Sequence, residues 1–305
     1  MTPHGVEQQL EESEAGRGVS PAVSSAAVAE DRRPGWTENR PSSGWFPRFN
    51  FADLWSHREI AWVLAVRNVK IRYKQTFFGV GWALLQPLAG VAIFTLVFGR
   101  LAQVPSEGIP YPVFVYAGLA AWLYFSNAAT AASESLAQYR ELVTKVYFPR
   151  LLAPLAAVLP GLIDLAISLV AVGVFMAVFG VAPSAALVLL PLWLLALVLI
   201  AVGVGVWLSA LNVQYRDVRN ALTFLLQLWF FATPVVYGSS LLSGEWSFLL
   251  ALNPMAGLLE GLRWSLVGAP APDATAFISL GVGALMLVSG IAYFGRVERR
   301  FADLI

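Results

Sequence analysis

Residues 185–208 read A-A-L-V-L-L-P-L-W-L-L-A-L-V-L-I-A-V-G-V-G-V-W-L, 24 positions without one charge. At about 1.5 Å per helical residue this run reaches roughly 36 Å, more than the roughly 30 Å of a bilayer's hydrocarbon core. It lacks the alternation of a barrel strand, and only a helix closes every backbone hydrogen bond within the segment. Comparable runs lie at 80–98, 111–132, 155–179, 221–237 and 276–294. The chain of 305 residues is 58% hydrophobic and only 13% charged, a surplus of apolar surface that must face lipid or a membrane interior. The expectation is an all-α integral membrane protein with six transmembrane helices in a domain over 79–305.

Residues 1–50 are rich in Glu, Ser, Gly, Pro and Arg with no sustained apolar period, and read as a disordered cytoplasmic tail. Between tail and first span, 51–78 reads as an amphipathic interfacial helix. Trp55, Trp62, Val66, Val69 and Tyr73 recur at helical spacing, and Arg67, Lys70, Arg72 and Lys74 suit an anionic lipid surface. The alternative is an ordinary basic flank obeying the orientation rule.

A seventh apolar stretch, 248–267, holds Asn253-Pro254 in its first half and Glu260 and Arg263 in its second. Charges near a helix centre cost about 2.5 to 3.5 kcal/mol each on the insertion scale. With six spans and the N-terminus inside, thirteen Lys and Arg flank the inner ends (Arg58, Arg67, Lys70, Arg72, Lys74, Arg140, Lys145, Arg150, Arg216, Arg219, Arg296, Arg299, Arg300) against two, Arg100 and Arg263, outside. That asymmetry puts both termini in the cytoplasm and makes about 245–268 a re-entrant hairpin entering from the outer side, its turn at Asn253-Pro254. Glu260 and Arg263, at i and i+3, read either as an outer gate or as a structural ion pair. Asp164, an acidic residue within a span, reads as a hydrogen-bonded residue at a helix interface or as part of a transport path.

The absences bound the chemistry. There is no phosphate-binding G-x-x-x-x-G-K-[ST] loop, no H-E-x-x-H and no G-x-S-x-G. Both His, His4 and His57, precede the first span, and Cys is absent, so thiol catalysis, disulfides and His or Cys metal clusters are excluded. A net charge of +1 gives no basis for nucleic-acid binding. No catalytic, cofactor or metal residue is expected, and the chain reads as a non-enzyme.

From Val66 the sequence runs V-R-N-V-K-I-R-Y-K-Q-T-F-F-G-V-G-W-A-L-L-Q-P-L. Further on come Tyr111-Pro112 with Gly118 and Trp122, Lys145-Val146-Tyr147-Phe148-Pro149-Arg150, Arg216-Asp217-Val218, Thr233-Pro234-Val235-Val236-Tyr237, and Leu252-Asn253-Pro254-Met255 followed by Arg263. In this order they resemble the membrane subunit of ABC exporters that move lipid-linked polysaccharides, the O-antigen and teichoic-acid class. The resemblance implies a homodimer in the plasma (inner) membrane with two copies of a nucleotide-binding ATPase subunit, which would hold the ATP and Mg. It implies that 133–150, through Tyr139, Arg140, Glu141, Lys145 and Tyr147, docks on that subunit as a coupling helix; the alternative is a solvated charged loop. It also implies a channel lined by the first and fifth spans, with Trp82, Phe94, Trp229, Phe230 and Tyr237 as candidate lining and Asn253, Glu260 and Arg263 as candidate outer gate. The cargo would be a polyprenyl-diphosphate-linked polysaccharide of O-antigen, teichoic-acid or cell-wall galactan type. Rival readings are an ABC exporter of a drug or another lipid, and a membrane enzyme or scaffold of envelope synthesis.

Overall fold

The computed structural model describes residues 51–74, 81–139, 148–215, 217–241 and 247–298. The expected tail 1–50, the last residues of the interfacial stretch and Arg140, Glu141, Lys145 and Tyr147 lie outside the described residues. Among the described residues every regular element is helical: α1 (Phe51–Ser56), α2 (Arg58–Lys74), α3 (Gly81–Phe94, continued by a π-helical turn Thr95–Leu101), α4 (Tyr111–Gln138), α5 (Leu152–Val158), α6 (Gly161–Phe179), α7 (Leu190–Gln214, preceded by a 3₁₀ turn Ala185–Leu189), α8 (Val218–Ala232), α9 (Ser247–Ala251), α10 (Pro254–Val267) and α11 (Ala274–Val297).

Among the described residues five continuous helical stretches are long and apolar enough to cross a membrane: Gly81–Leu101, Tyr111–Gln138, Leu152–Phe179, Ala185–Gln214 and Ala274–Val297. The expected run at 221–237 is different. It is helical only over Val218–Ala232, 15 residues or about 22 Å, because Pro234 disfavours helix at the residue before it and supplies no N–H. The expected hairpin is two short helices, α9 and α10, with Asn253 between them as the N-cap of α10 and Pro254 as its first residue. Asp273 caps α11 in the same way, accepting from the N–H groups of Thr275 and Ala276; its bonds from Thr275 hold its carboxyl below the usual carboxylate range.

The core is built around α4. It is Ala-rich and aromatic, and 78% of its apolar window is buried inside the protein, against 11% for the first span. The helices packed on α4 and α7 approach closely where side chains vanish. A Cβ on Gly205 would sit 2.5 Å from Ala132, one on Gly203 2.7 Å from the Leu287 backbone, and one on Gly257 2.4 Å from the Ala276 carbonyl. Small residues at these crossings let dispersion contacts and backbone approach hold the helices together, since lipid supplies no hydrophobic drive between them. The exposed apolar side chains fall on other faces: Leu85, Ile93 and Leu96 of α3, Val170, Val174 and Val178 of α6, and Phe224, Leu225 and Leu228 of α8.

The two ends of the bundle are chemically distinct. At one end Arg219 pairs with Glu134 at 2.8 Å, Asn212 donates to the Ser133 carbonyl, and Tyr293 to Gln214. There too the Arg150 guanidinium donates to the Glu298 carbonyl at 2.7 Å. These are the segments the charge bias assigned to the inner side, now gathered by contact.

Gly257→Val should therefore lower the melting temperature of the detergent-solubilised protein sharply, because its side chain meets backbone that cannot swing aside. Gly281→Ala, where a Cβ meets nothing within 4 Å, should stay within about 0.5 kcal/mol of the parent.

Candidate functional site

Where α8 stops, the chain runs non-helically through Thr233–Gly238, and residues 233–236 are buried. A helix end with an irregular continuation leaves carbonyls without intrahelical partners, and in an apolar setting each must find another donor. Here all of them do. The Trp229 carbonyl accepts from the Thr233 hydroxyl, Phe230 from the Thr233 N–H, Phe231 from the Tyr237 hydroxyl, and Ala232 from the Asn253 amide. Thr233 accepts from the Val235 N–H; Pro234 and Val235 accept from the two terminal nitrogens of Arg263 at 2.7 and 2.6 Å; Val236 accepts from the Tyr111 hydroxyl at 2.6 Å.

Arg263 is only 2% exposed, and its guanidinium carbon lies 3.7 Å from the centroid of the Phe114 ring. Gly118 makes this possible, since a Cβ there would come within 2.5 Å of an Arg263 nitrogen and 2.7 Å of the Val235 carbonyl oxygen. The guanidinium suits the task because its planar fork reaches two adjacent carbonyls at once and its face stacks on an aromatic ring. The expected alternative of an ion pair with Glu260 is not what the structure contains. The Arg263 donors go to the Pro234 and Val235 carbonyls, while the Glu260 carboxylate, on the same face of α10, bonds Ser239 instead.

Asn253 is the second tie in this region. Its side-chain oxygen accepts from the Met255 N–H at 3.1 Å and the Trp229 indole N–H at 3.0 Å. Its amide donates to Ala232 and to the Thr233 hydroxyl, and its carbonyl accepts from the Ser279 hydroxyl. One residue thus caps α10, closes the end of α8 and touches α11.

Of the candidate channel residues, Phe94, Trp229 and Phe230 come together in one aromatic cluster. Phe94 and Phe230 centroids are 5.7 Å apart, and Trp229 meets Phe125 edge-on at 5.1 Å. Trp122 joins both Trp229 and Phe230. Trp122, read from sequence as a motif residue, and Phe125 were not among the candidate lining residues, although their position opposite two adjacent aromatics on α8 makes them part of the same surface. Tyr237 lies at the turn, bonded to Phe231 rather than stacked. Trp82 sits apart from the cluster and 51% exposed, at the α2-facing part of α3, where it lines a separate cavity.

The interfacial stretch is two helices, broken at His57. Trp62 is 68% exposed, on an α2 face shared with Val63, Arg67, Lys70, Ile71 and Lys74. The other face binds the bundle. Tyr73, expected on the face of Trp62, instead donates to Asp164 at 2.5 Å, and Arg72 pairs with the same carboxylate at 2.5 Å. Burial and the neighbouring carboxylate push the Tyr73 hydroxyl well above its ordinary value, keeping it a proton donor. Tyr139 donates to Asn68 and lies under Arg67, so the described first part of the expected coupling segment, 133–139, contacts α2 through Tyr139. Asp164 is thereby an interface residue between α2 and α6.

These features define a multi-pass helical membrane protein with an aromatic surface at the junction of α3, α4 and α8. The chain belongs to the ABC-2 type transporter family, whose membrane-domain profile matches residues 60–267. It is 31% identical over 257 residues to the O-antigen export system permease protein RfbA of Myxococcus xanthus, covering 83% of this chain and 98% of that one. A Klebsiella pneumoniae O-antigen export system permease protein RfbA is 27% identical, over 80% of this chain and 93% of the relative. The polysialic acid transport protein KpsM of Escherichia coli is 26% identical, over 65% and 77%.

Arg263→Met leaves two buried carbonyls without donors at about 1–3 kcal/mol each, and should cost about 2–6 kcal/mol of stability. Arg263→Lys, with one compact ammonium, should fall between. The charge-reversed pair Glu260→Arg with Arg263→Glu should yield no folded protein, since it turns a carboxylate onto carbonyl oxygens. Melting temperature and monodispersity in detergent check the series, with Glu260→Gln expected close to the parent.

Proposed function

We propose that the chain is the permease subunit of an ATP-driven exporter that moves a polyprenyl-diphosphate-linked polysaccharide from the cytoplasm to the outer face of the inner membrane. The observation that carries this is the similarity to an O-antigen export permease over 98% of that protein's length. The aromatic cluster of Phe94, Trp122, Phe125, Trp229 and Phe230 supports it, because aromatic faces bind sugar rings without fixing register, as a sliding polymer requires. The apolar faces that α3 and α8 leave uncovered beside that cluster support a homodimer whose two copies enclose the path. No group for ATP is assigned to this chain; ATP and Mg belong to a separate ATPase subunit, two copies per dimer, docked on 133–150.

In this reading α8 and the segment 233–238 together form a sixth crossing. Non-helical backbone is tolerated at membrane depth where it is buried in protein, and here Arg263, Asn253 and Tyr111 take its carbonyls. Helices α9 and α10 then form a re-entrant hairpin at the outer side, with Asn253 and Arg263 holding that added crossing and Glu260 bonded to Ser239. Both termini lie in the cytoplasm, and the exposed Trp62 and basic side chains of α2 lie in the inner headgroup layer.

Three measurements test this. Single cysteines are clean in a chain without native Cys. Cysteines at Gln138 and Arg296 should be shielded from an impermeant reagent outside intact cells, and those at Ser240 and Ala271 should react; outside labelling at Arg296 overturns the six-span count. Depletion of the protein should make a lipid-linked glycan accumulate on the cytoplasmic side. Glu141→Lys should abolish co-purification of the ATPase subunit, since it reverses charge on a docking surface without touching the path.

A further inference from the structure

Between the C-terminal turn of α2 and the adjoining parts of α3, α4 and α6 lies a cavity of about 190 Å³. Its volume equals the liquid share of about six waters at roughly 30 Å³ each. The aromatic cluster contributes nothing to its lining. Arg72, Tyr73 and Asp164 close it on the α2 side; Trp82, Pro87, Leu123 and Leu165 give it apolar walls; Gln86, Asn127, Tyr124 and Ser168 give it polar groups.

Several of these polar groups are unused. Tyr124 is 98% buried by its 2% exposure, and its hydroxyl has no hydrogen-bond partner. Its ring is fixed against Gly161, where a Cβ would meet it at 3.2 Å. Among the described residues the side chains of Gln86, Asn127 and Ser168 also hold no hydrogen bond, although Ser168 is only 5% exposed. Buried polar groups in folded proteins are nearly always paired, so two buried hydroxyls, those of Tyr124 and Ser168, left open on one cavity beside the half-buried Asn127 and the exposed Gln86 point to an occupant. Two hydroxyls and two carboxamides each donate and accept, which matches vicinal hydroxyls that do the same. The indole of Trp82 and the apolar walls match the C–H face of a sugar ring.

Charge excludes the other polar occupant of a lipid-linked substrate. The cation among the cavity's lining residues, Arg72, is neutralised by Asp164 at 2.5 Å, and the same carboxylate repels a phosphate. We propose that this cavity is a subsite for one neutral sugar residue, held by Tyr124, Ser168, Asn127 and Gln86 against Trp82. The Arg72–Tyr73–Asp164 bridge forms its α2-side wall. The proposal rests on the polysaccharide-export reading for which sugar the cavity meets, but its binding chemistry can be measured without transport.

The test uses the full chain co-purified with its ATPase subunit in lipid nanodiscs. Saturation-transfer difference NMR is recorded with galactose, glucose, mannose and N-acetylglucosamine in turn, and with glycerol 3-phosphate as the anionic probe. The expected result is a signal from at least one sugar and none from glycerol 3-phosphate. Ser168→Leu, which fills the cavity, should abolish the sugar signal. Tyr124→Phe, which removes one hydroxyl and leaves the packing intact, should weaken the sugar about three- to tenfold. Failure of every sugar to bind the parent overturns the proposal, as does binding unchanged in Tyr124→Phe, or glycerol 3-phosphate competing with the sugar. Should Ser168→Leu fail to fold, the Tyr124→Phe affinity decides alone. Sugar binding that persists when depletion accumulates no glycan would sink the export reading and leave the subsite; accumulation without sugar binding would do the reverse.

Discussion

A buried guanidinium holding two consecutive carbonyls is the contact on which the least regular part of this bundle depends. Pro234 ends α8 short of a membrane's thickness, and the segment that follows is buried among apolar side chains with its backbone polar groups freed. Without donors, that segment would have to unfold toward water or continue as helix, which proline forbids. Arg263 resolves it from a neighbouring helix, and Gly118 and Phe114 shape α4 to admit the side chain. The total at stake, about 2–6 kcal/mol, is comparable to a large part of a typical domain's net stability.

The same contact fixes what lies beside it. With α8 ended at Ala232, Trp229 and Phe230 are set against Trp122, Phe125 and Phe94. Asn253 then ties the end of α8 to the start of α10, so the aromatic surface and the helix pair α9 and α10 cannot shift independently. Motion at one is mechanically passed to the other through a short network of hydrogen bonds rather than through loose apolar packing.

A second linkage runs through α2. Its Asn68 and Arg67 meet Tyr139 at the end of α4, while Arg72 and Tyr73 hold Asp164 at the start of α6. An amphipathic helix lying at the membrane surface would by itself be free to slide. These side chains make it a strut between the C-terminal end of α4 and the start of α6, and bring its last turn over the polar cavity bounded by α3, α4 and α6.

The amino-acid sequence by itself determined the class of structure: uncharged runs of 20 or more residues leave only helices in lipid, and the order of short motifs from Val66 to Arg263 carried the family. The basic residues named the inner ends, and the structure gathers those segments by contact. Asn253-Pro254 was legible as a turn because its signals are local. What only tertiary structure decided was partnership. Composition gave 221–237 the apolar character of a full span, yet Pro234 stops the helix, and the gap is closed by a residue nearly thirty positions away. Spacing on one helix offered Glu260 to Arg263, but the guanidinium instead serves carbonyls on another segment, because two buried acceptors at hydrogen-bond distance outweigh a nearby carboxylate bonded to Ser239. Tyr73 was read by periodicity onto the Trp62 face, and an acidic residue 91 positions distant pulled it to the other. Helical periodicity reports which residues share a stripe; which stripe meets which neighbour depends on chain closure between elements that no local pattern contains.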